Sequence, residues 1–216
     1  MELYSFFNSS TSYRVRIALA LKGLEYDYHG VNLRNGSQSS DLFKKINPSK
    51  GVPVFITDDG AKITQSLAII QMLDELYGEP ELIPSDLELK MRVLEFSYAI
   101  ASDIHPLNNV RVLNYLTQNL KVTDEQKKDW YNHWIKEGFD AAEAFLKRHR
   151  SEKDIYCFGD QITLADCCLV PQYANALRMN CNLEQYPILS EIYTKCIALP
   201  DFKRAAPSSQ PDYTNS

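Results

Sequence analysis

The chain lacks the marks of a membrane, nucleic-acid-binding or metal-binding protein. No apolar run approaches the ~18 residues of a membrane span, and the N-terminus has an early acid and no basic region, so we expect no signal peptide. A net charge of −5 argues against broad contact with nucleic acid or an anionic membrane. The four histidines are scattered, none at metal-ligand spacing to a cysteine, so no metal site is expected.

Cysteine is absent from the first two thirds of the chain. All five cysteines lie from Cys157 onward, in an odd number and without C-x-x-C spacing. Reduced thiols in the cytoplasm fit this pattern best. A disulfide oxidoreductase is disfavoured, because no cysteine occupies the junction between the first predicted strand and the first predicted helix.

The composition that is present is ordinary for a globular protein, and 216 residues suffice for two modest domains. In the first 80 residues, apolar spacing and turn residues predict the element order β-α-β-α-β-β-α. The predicted strands are Leu3–Phe6, Tyr26–Asn32, Val52–Ile56 and Lys62–Ile63, and the predicted helices contain Val15–Leu21, Phe43–Ile46 and Ile69–Tyr77.

Prolines and acids from Glu79 to Asp86 predict a linker, and helical periodicity follows it almost throughout. We therefore assign residues 1–80 to an α/β domain and residues 87–216 to an all-α domain. The polar, proline-rich segment after Pro200 is expected to be loosely ordered.

Several residues predict where the later helices start and bend. Pro106 should interrupt the first of them, and Pro171 should distort another. Thr123 with Gln126, and Thr163 with an acid three residues later, have the spacing of capping boxes.

Four hydroxyl residues, Ser9 to Ser12, lie between the first strand and the first helix. Free N–H groups and the positive end of the helix dipole favour an anion there. Hydroxyls can donate hydrogen bonds to a thiolate, and no cysteine of the chain is nearby, so the thiol would be external. The alternative is that the four residues only cap the helix.

The stretch that starts at Ser9 resembles the signature of zeta-class glutathione transferases. Residues 9–19, SSTSYRVRIAL, match the paired serines, the cysteine position and the following Arg-Val-Arg-Ile-Ala-Leu of that family. Residues 47–53, 65–70 and 163–172 resemble segments of maleylacetoacetate and maleylpyruvate isomerases. Residues 103–109 and 204–212 resemble the bacterial maleylpyruvate isomerases in particular. The resemblance implies an α/β thioredoxin-like N-terminal domain plus an all-α C-terminal domain, glutathione as cofactor and a homodimer.

Carried over by position, the resemblance also implies a set of site residues. Ser9, Ser10 and Thr11 would surround the glutathione sulfur as catalytic residues. The remaining glutathione contacts would be Gln38, Val52, a cis-Pro53, Gln65, Ser66, His105, Asn109 and Arg111. Arg178 and Arg111 would bind substrate carboxylates through the guanidinium fork.

Plainer interpretations of five positions stay open. Gln65 and Ser66 could only cap a helix, His105 could be a polar residue at a kink, and Arg111 a solvated charge. Arg178 could interact with the dipole at a helix C-terminus.

Two positions depart from the family pattern. Thr11 replaces its cysteine, as also happens in the maleylpyruvate isomerase branch, so no protein thiol is required. Asn8 stands where many members carry an arginine near the substrate, which leaves the identity of the diacid open.

The resemblance favours cis–trans isomerisation of a maleyl-type dioxo acid to its fumaryl isomer. Conjugation of glutathione to small electrophiles such as α-haloacids is the alternative enzyme activity. A non-catalytic glutathione-binding module is disfavoured by the presence of Ser9 and Ser10.

Overall fold

The computed structural model describes residues 1–214. By its contacts the chain divides into two units, one of Met1–Ile83 with the residues from Ile197 onward, and one of Pro84–Cys196. Within residues 1–214 none of the helices combines the length and the apolar character needed to cross a lipid bilayer.

The first unit is built on a four-stranded sheet with the strand order β2-β1-β3-β4. Its elements are β1 Glu2–Ser5, α1 Ser10–Leu21, β2 Asp27–Gly30, α2 Asp41–Ile46, β3 Val54–Ile56, β4 Lys62–Thr64 and α3 Ser66–Tyr77. Strand β1 runs parallel to β2 and antiparallel to β3, and β3 and β4 form the predicted hairpin. The predicted order β-α-β-α-β-β-α is confirmed, and with it the thioredoxin-like fold.

Helix α1 is buried on nearly every side, which explains its mostly apolar sequence. The helix packs against α3, and its C-terminal end is capped by Gly23. The φ of Gly23 is +64°, a left-handed conformation that glycine adopts easily because it has no Cβ. The N–H of Gly23 donates to the carbonyl of Ala20 over 3.1 Å, as a C-terminal cap should.

A buried ion pair stabilises the end of the Met1–Ile83 segment. Lys22 Nζ lies 2.9 Å from Asp74 Oδ1, and both side chains are largely inaccessible to solvent. Asp74 also accepts the backbone N–H groups of Leu82 and Ile83, at 2.8 and 2.9 Å. Because these bonds satisfy an otherwise irregular segment, the start of the predicted linker is held against α3.

The second unit is all helical, as predicted. It contains α4 Leu87–Tyr98, α5 Val110–Gln118, α6 Asp124–His149, α7 Leu164–Arg178 and most of α8 Pro187–Ala198. Between α4 and α5 the chain forms a π-helical turn, Ala99–Ile104, and a 3-10 helix, His105–Asn108. The predicted interruption near Pro106 is therefore confirmed.

Both predicted capping boxes are present. Thr123 and Gln126 exchange side-chain to backbone hydrogen bonds at the start of α6. At the start of α7, the buried Asp166 accepts the N–H groups of Thr163 and Cys157, each over 2.9 Å. Helix α7 continues through Pro171 to its last residue, so the expected distortion does not end it.

The expectation for the segment after Pro200 is wrong for the described residues. This segment forms α9, Pro200–Ala205, and packs on α1 with Phe202 fully buried. Gln210 Nε2 then donates to the carbonyls of Arg204 and Ala206. Apolar contacts with α1 and satisfied polar groups therefore place this segment in the first unit, although residues 87–216 were assigned to one domain. Asn215 and Ser216 lie outside the described residues.

Candidate functional site

The predicted site residues fall into two groups, one in each unit. Six members of the first group lie at the starts of α1 and α3 and at the bend before β3: Ser9, Ser10, Thr11, Val52, Pro53 and Ser66. Gln65 is the residue immediately before α3, and Gln38 lies in a short 3-10 helix, Ser37–Ser39.

Three residues of this group are joined by hydrogen bonds. Ser9 is the N-cap of α1, and its Oγ accepts the N–H of Ser12 over 3.2 Å. Ser9 Oγ also lies 2.9 Å from Thr11 Oγ1, and Thr11 donates to the carbonyl of Val52 over 2.8 Å. The start of α1 and the bend before β3 thus meet at a pair of hydroxyls.

The direction of these bonds follows from the proton count. A carbonyl oxygen has no proton, so the Thr11 hydroxyl must be the donor in its hydrogen bond to the carbonyl of Val52. The bond between the two hydroxyls is therefore donated by Ser9 and accepted by Thr11. An anion at the helix N-terminus would compete with Thr11 for the proton of Ser9.

The bend that contributes Val52 has the predicted cis peptide bond, between Val52 and Pro53. Its loop is held by Asn47, whose Nδ2 donates to the carbonyl of Gly51 over 2.8 Å. Val52 is buried, so its carbonyl is presented from a fixed backbone.

The start of α3 has an unusual backbone at Gln65. Its φ is +71° and ψ is 112°, and its side chain makes no capping hydrogen bond. A non-glycine residue at positive φ is strained, and such residues concentrate where ligands are held. The adjoining Ser66 is buried, and its Oγ accepts from Arg14 Nη1 of α1 at 3.4 Å.

Gln38 is the outlying member of the group. Its Nε2 donates to the carbonyl of Leu33 at 3.5 Å, within its own loop. The predicted contact of Gln38 with the tripeptide stays a prediction.

In the second unit, His105, Asn109 and Arg111 are brought together around the start of α5. Asn109 is the N-cap, and its Oδ1 accepts the N–H of Arg111 over 3.0 Å. Its Nδ2 lies 3.1 Å from His105 Nε2. The side chain of Arg111 is exposed.

Arg178 is the last residue of α7 and is exposed. Its Nη2 donates to Asn175 Oδ1 over 2.9 Å, one helical turn earlier. Burial raises the pKa of the nearby Tyr131 phenol, and the charge of Arg178 acts in the opposite direction. A helix-terminal charge and a carboxylate-binding guanidinium both fit this position.

Arg16, to which the sequence pattern alone assigns no role, holds the loop that leads to Ser9. Its guanidinium is buried and donates to the carbonyls of Phe6, Phe7 and Ala205, at 3.3, 3.0 and 2.9 Å. Arg14 and Arg16 lie among the apolar residues of a helix. Two arginines in that setting are the signal that could have identified them. Asp212, which also contacts Phe7, had no such local signal.

The first group has the features that would suit a peptide thiol. A thiolate is stabilised by a helix N-terminus and hydroxyl donors, which the start of α1 offers. A peptide backbone can form hydrogen bonds with the bend at Val52. A carboxylate can accept hydrogen bonds from the N–H groups at the start of α3.

The chain matches two family models, "Glutathione S-transferase, N-terminal domain" over residues 1–75 and "Glutathione S-transferase, C-terminal domain" over residues 103–200. It is 45% identical to a probable maleylacetoacetate isomerase of Vibrio cholerae, with 97% of each chain covered. A maleylpyruvate isomerase, described as a bacterial zeta-class glutathione S-transferase, superposes with a TM-score of 0.95 at 41% identity, covering 99% of this chain and 100% of that one.

A third similar protein is a maleylacetoacetate isomerase from Anaeromyxobacter dehalogenans. Its crystal structure, with dicarboxyethyl glutathione and citrate in the active site, has a TM-score of 0.85 and 36% identity, covering 99% of this chain and 97% of that one.

Proposed function

As the chain belongs to the glutathione S-transferase family, in its zeta class, we propose that it isomerises a maleyl-type dioxo acid, maleylacetoacetate or maleylpyruvate, to the fumaryl isomer with glutathione as cofactor. One observation carries the proposal most directly. The hydroxyls of Ser9 and Thr11 meet at the N-terminus of α1, beside the carbonyl of Val52.

Bound glutathione supplies a thiolate that adds reversibly to the conjugated cis double bond, so that rotation about the resulting single bond and loss of the thiolate give the trans isomer. The chain's contribution is to make a thiolate available near neutral pH. Ser9 donates its proton to the sulfur instead of to Thr11, and the dipole of α1 favours the negative charge. Ser10, buried at the first turn, completes the set of hydroxyls.

The remaining residues bind and orient. Val52, next to cis-Pro53, pairs through its backbone with the tripeptide. Gln65 and Ser66 receive the γ-glutamyl end at the start of α3, where backbone N–H groups can donate hydrogen bonds to a carboxylate. Four further residues contact glutathione in this proposal: Gln38, His105, Asn109 and Arg111.

Arg178, with Arg111, binds the carboxylates of the substrate. A guanidinium meets a carboxylate through two parallel hydrogen bonds, which fixes the acid while its double bond reacts. Both side chains are exposed to solvent.

Conjugation of glutathione to an electrophile, such as an α-haloacid, is the second candidate activity. The ligand of the Anaeromyxobacter relative favours it, because dicarboxyethyl glutathione is a conjugate that the fold accommodates. Conjugation uses the same thiolate, which displaces halide from an α-haloacid, or adds to a double bond and is not released again.

The compartment and assembly belong to the same proposal. None of the five cysteines, all within the described residues, forms a disulfide, and four of them are buried, which fits the reducing cytoplasm. A homodimer is supported by large apolar side chains exposed on α3 and on α4: Leu76, Tyr77, Leu87, Met91 and Tyr98.

The proposal is tested by following maleylpyruvate and maleylacetoacetate with the purified protein. We expect isomerisation of at least one acid with glutathione, and none without it or with S-methylglutathione, which keeps the tripeptide but has no free thiol. An equal rate with S-methylglutathione would refute the thiolate mechanism. A haloacid conjugation assay run beside it ranks the second candidate.

A further inference from the structure

A carboxylate near the C-terminus of the chain contacts the loop that precedes the catalytic serines. Asp212 Oδ2 accepts the backbone N–H of Phe7 over 3.1 Å, across 205 positions of sequence. Its other oxygen accepts the Tyr28 hydroxyl over 2.6 Å. Phe7 is 4% exposed, so this backbone N–H depends on a protein acceptor rather than on water.

The contact fixes one end of a peptide unit whose other end is already held. The carbonyl of Phe6 accepts the N–H of Ser9 over 2.9 Å and Arg16 Nη1 over 3.3 Å. That carbonyl and the N–H of Phe7 belong to the same planar peptide group. If the group rotates, its turn hydrogen bond to Ser9 is lost and the Ser9 hydroxyl moves.

Arg16 cannot replace Asp212 in this role. A guanidinium only donates hydrogen bonds, and those of Arg16 go to the carbonyls of Phe6, Phe7 and Ala205 and to Ser5 Oγ. The N–H of Phe7 needs an acceptor, and Asp212 supplies it.

The segment that carries Asp212 packs closely against β2 and Phe7. A Cβ at Gly30, the last residue of β2, would lie only 3.2 Å from Asp212 Cβ. The next residue, Tyr213, packs its ring edge-on against Phe7, with the ring centroids 5.4 Å apart. The tail is therefore fitted against β2 and against the residue whose N–H it holds.

We propose that Asp212 is a positioning residue for the glutathione thiolate: by holding the Phe6–Phe7 peptide group, it places the Ser9 hydroxyl where it can donate to sulfur. This inference rests on the proposed function. Asp212 itself touches neither cofactor nor substrate in this role.

The test is Asp212→Ala, with the thiol pKa of bound glutathione read by ultraviolet absorbance across a pH series. We expect that pKa to rise by about one unit and kcat to fall ~10-fold at a pH below the pKa of the wild-type complex, because a tenfold smaller share of the thiol is then ionised. The KM for glutathione should stay within about twofold, since the start of α3 is unchanged.

The direction of the shift separates positioning from simple electrostatics. Removing a negative charge, by itself, stabilises a nearby thiolate and would lower the thiol pKa. A lowered pKa in Asp212→Ala would therefore overturn the inference. Asp212→Asn keeps one carbonyl acceptor and should restore part of the wild-type pKa.

Two further variants complete the test. Asp201→Ala removes a carboxylate from the same C-terminal segment, where it pairs with Arg204, and should keep the wild-type thiol pKa. Gly30→Ala places a Cβ against Asp212 and displaces it without removing its charge, so it should also raise the thiol pKa. It serves as the test if Asp212→Ala does not fold.

The outcomes also distinguish this inference from the proposed function. A wild-type protein that neither ionises glutathione nor isomerises the acids contradicts the proposed function, and the inference with it. An active wild type, with a folded Asp212→Ala or Gly30→Ala of unchanged thiol pKa and kcat, contradicts the inference alone.

Discussion

A single hydroxyl proton distinguishes the roles of Ser9 and Thr11. Thr11 gives its proton to the carbonyl of Val52, and Ser9 gives its own to Thr11. Only the Ser9 proton can be redirected to a thiolate without breaking the bond that joins α1 to the bend before β3. Ser9 is therefore the stronger candidate for the sulfur contact.

Ser9→Ala should raise the thiol pKa of bound glutathione and slow turnover by ~10²-fold, as loss of an oxyanion-type donor does. Ser10→Ala should be measured beside it, and Thr11→Ala should have the smaller effect. The readouts are ultraviolet absorbance of the thiolate and kcat. If neither serine variant changes either quantity, the hydroxyls serve only as a cap.

Ser9→Ala also removes the N-cap of α1, and Ser40 offers the matched control. Ser40 caps α2 in the same way, its Oγ accepting the N–H of Phe43 over 3.2 Å. Ser40→Ala should destabilise the fold by about 1 kcal/mol, like any lost cap, and leave the thiol pKa unchanged.

Arg178 is tested by Arg178→Met, which keeps much of the aliphatic stem and removes the guanidinium. We expect kcat/KM for the diacid to fall ~30- to 150-fold, the value of a charge-assisted pair. Glutathione affinity should stay within about twofold. Arg148→Met, at the exposed end of α6, is the control for a lost helix-terminal charge.

Equal losses of glutathione affinity and diacid turnover would make Arg178 structural. No loss of either would leave it a surface charge and return the substrate carboxylate to Arg111.

At the scale of elements, α6 determines the path of the segment that leads to His105. A Cβ at Gly138 would lie 2.4 Å from Ile104 Cγ1, at the end of the π-helical turn. Glycine there lets the helix pass closer to this turn than any other residue would.

Gly138→Ala should therefore destabilise the protein by about 1–3 kcal/mol, the typical result of overpacking. At an open helical site the same change would stabilise by up to about 1 kcal/mol, so the sign is diagnostic. Urea denaturation measures it. In an Ile104→Ala background the same change should cost less than in the wild type, and a Gly138→Ala variant as stable as the wild type would contradict the close approach.

The local elements could be predicted because their signals are local. Alternating apolar residues, the Asp58-Asp59-Gly60 turn and the two capping boxes lie within a few residues of what they determine. The segment after Pro200 could not, because its polar composition hides Phe202, which packs on a helix more than 180 positions earlier.

The same distinction holds for the site. Ser9 to Thr11 are predicted as site residues from the hydroxyl cluster at the start of α1 and from the family signature that contains it. Asp212 was missed because its partner, Phe7, is distant in sequence and offers only a backbone N–H. Contacts of that kind leave no pattern in composition or periodicity.

At the scale of the whole molecule, the proposed homodimer predicts a particle of about twice the 24.8 kDa of one chain. Light scattering coupled to size exclusion measures this mass directly. Leu76→Glu, on the exposed face of α3, should weaken the assembly, because it places a charge among the apolar side chains of the proposed subunit contact. A wild-type mass of one chain would contradict the dimer.

The most direct measurement of the central claim follows the trans acid and the free thiol together, with the acid in large excess over glutathione. Isomerisation returns the thiol after every turnover, since the thiolate that adds to the double bond is released again. The account predicts complete conversion of the acid while the concentration of free thiol stays constant. Thiol lost in step with the acid consumed, and conversion that stops when glutathione is exhausted, would contradict it and establish conjugation instead.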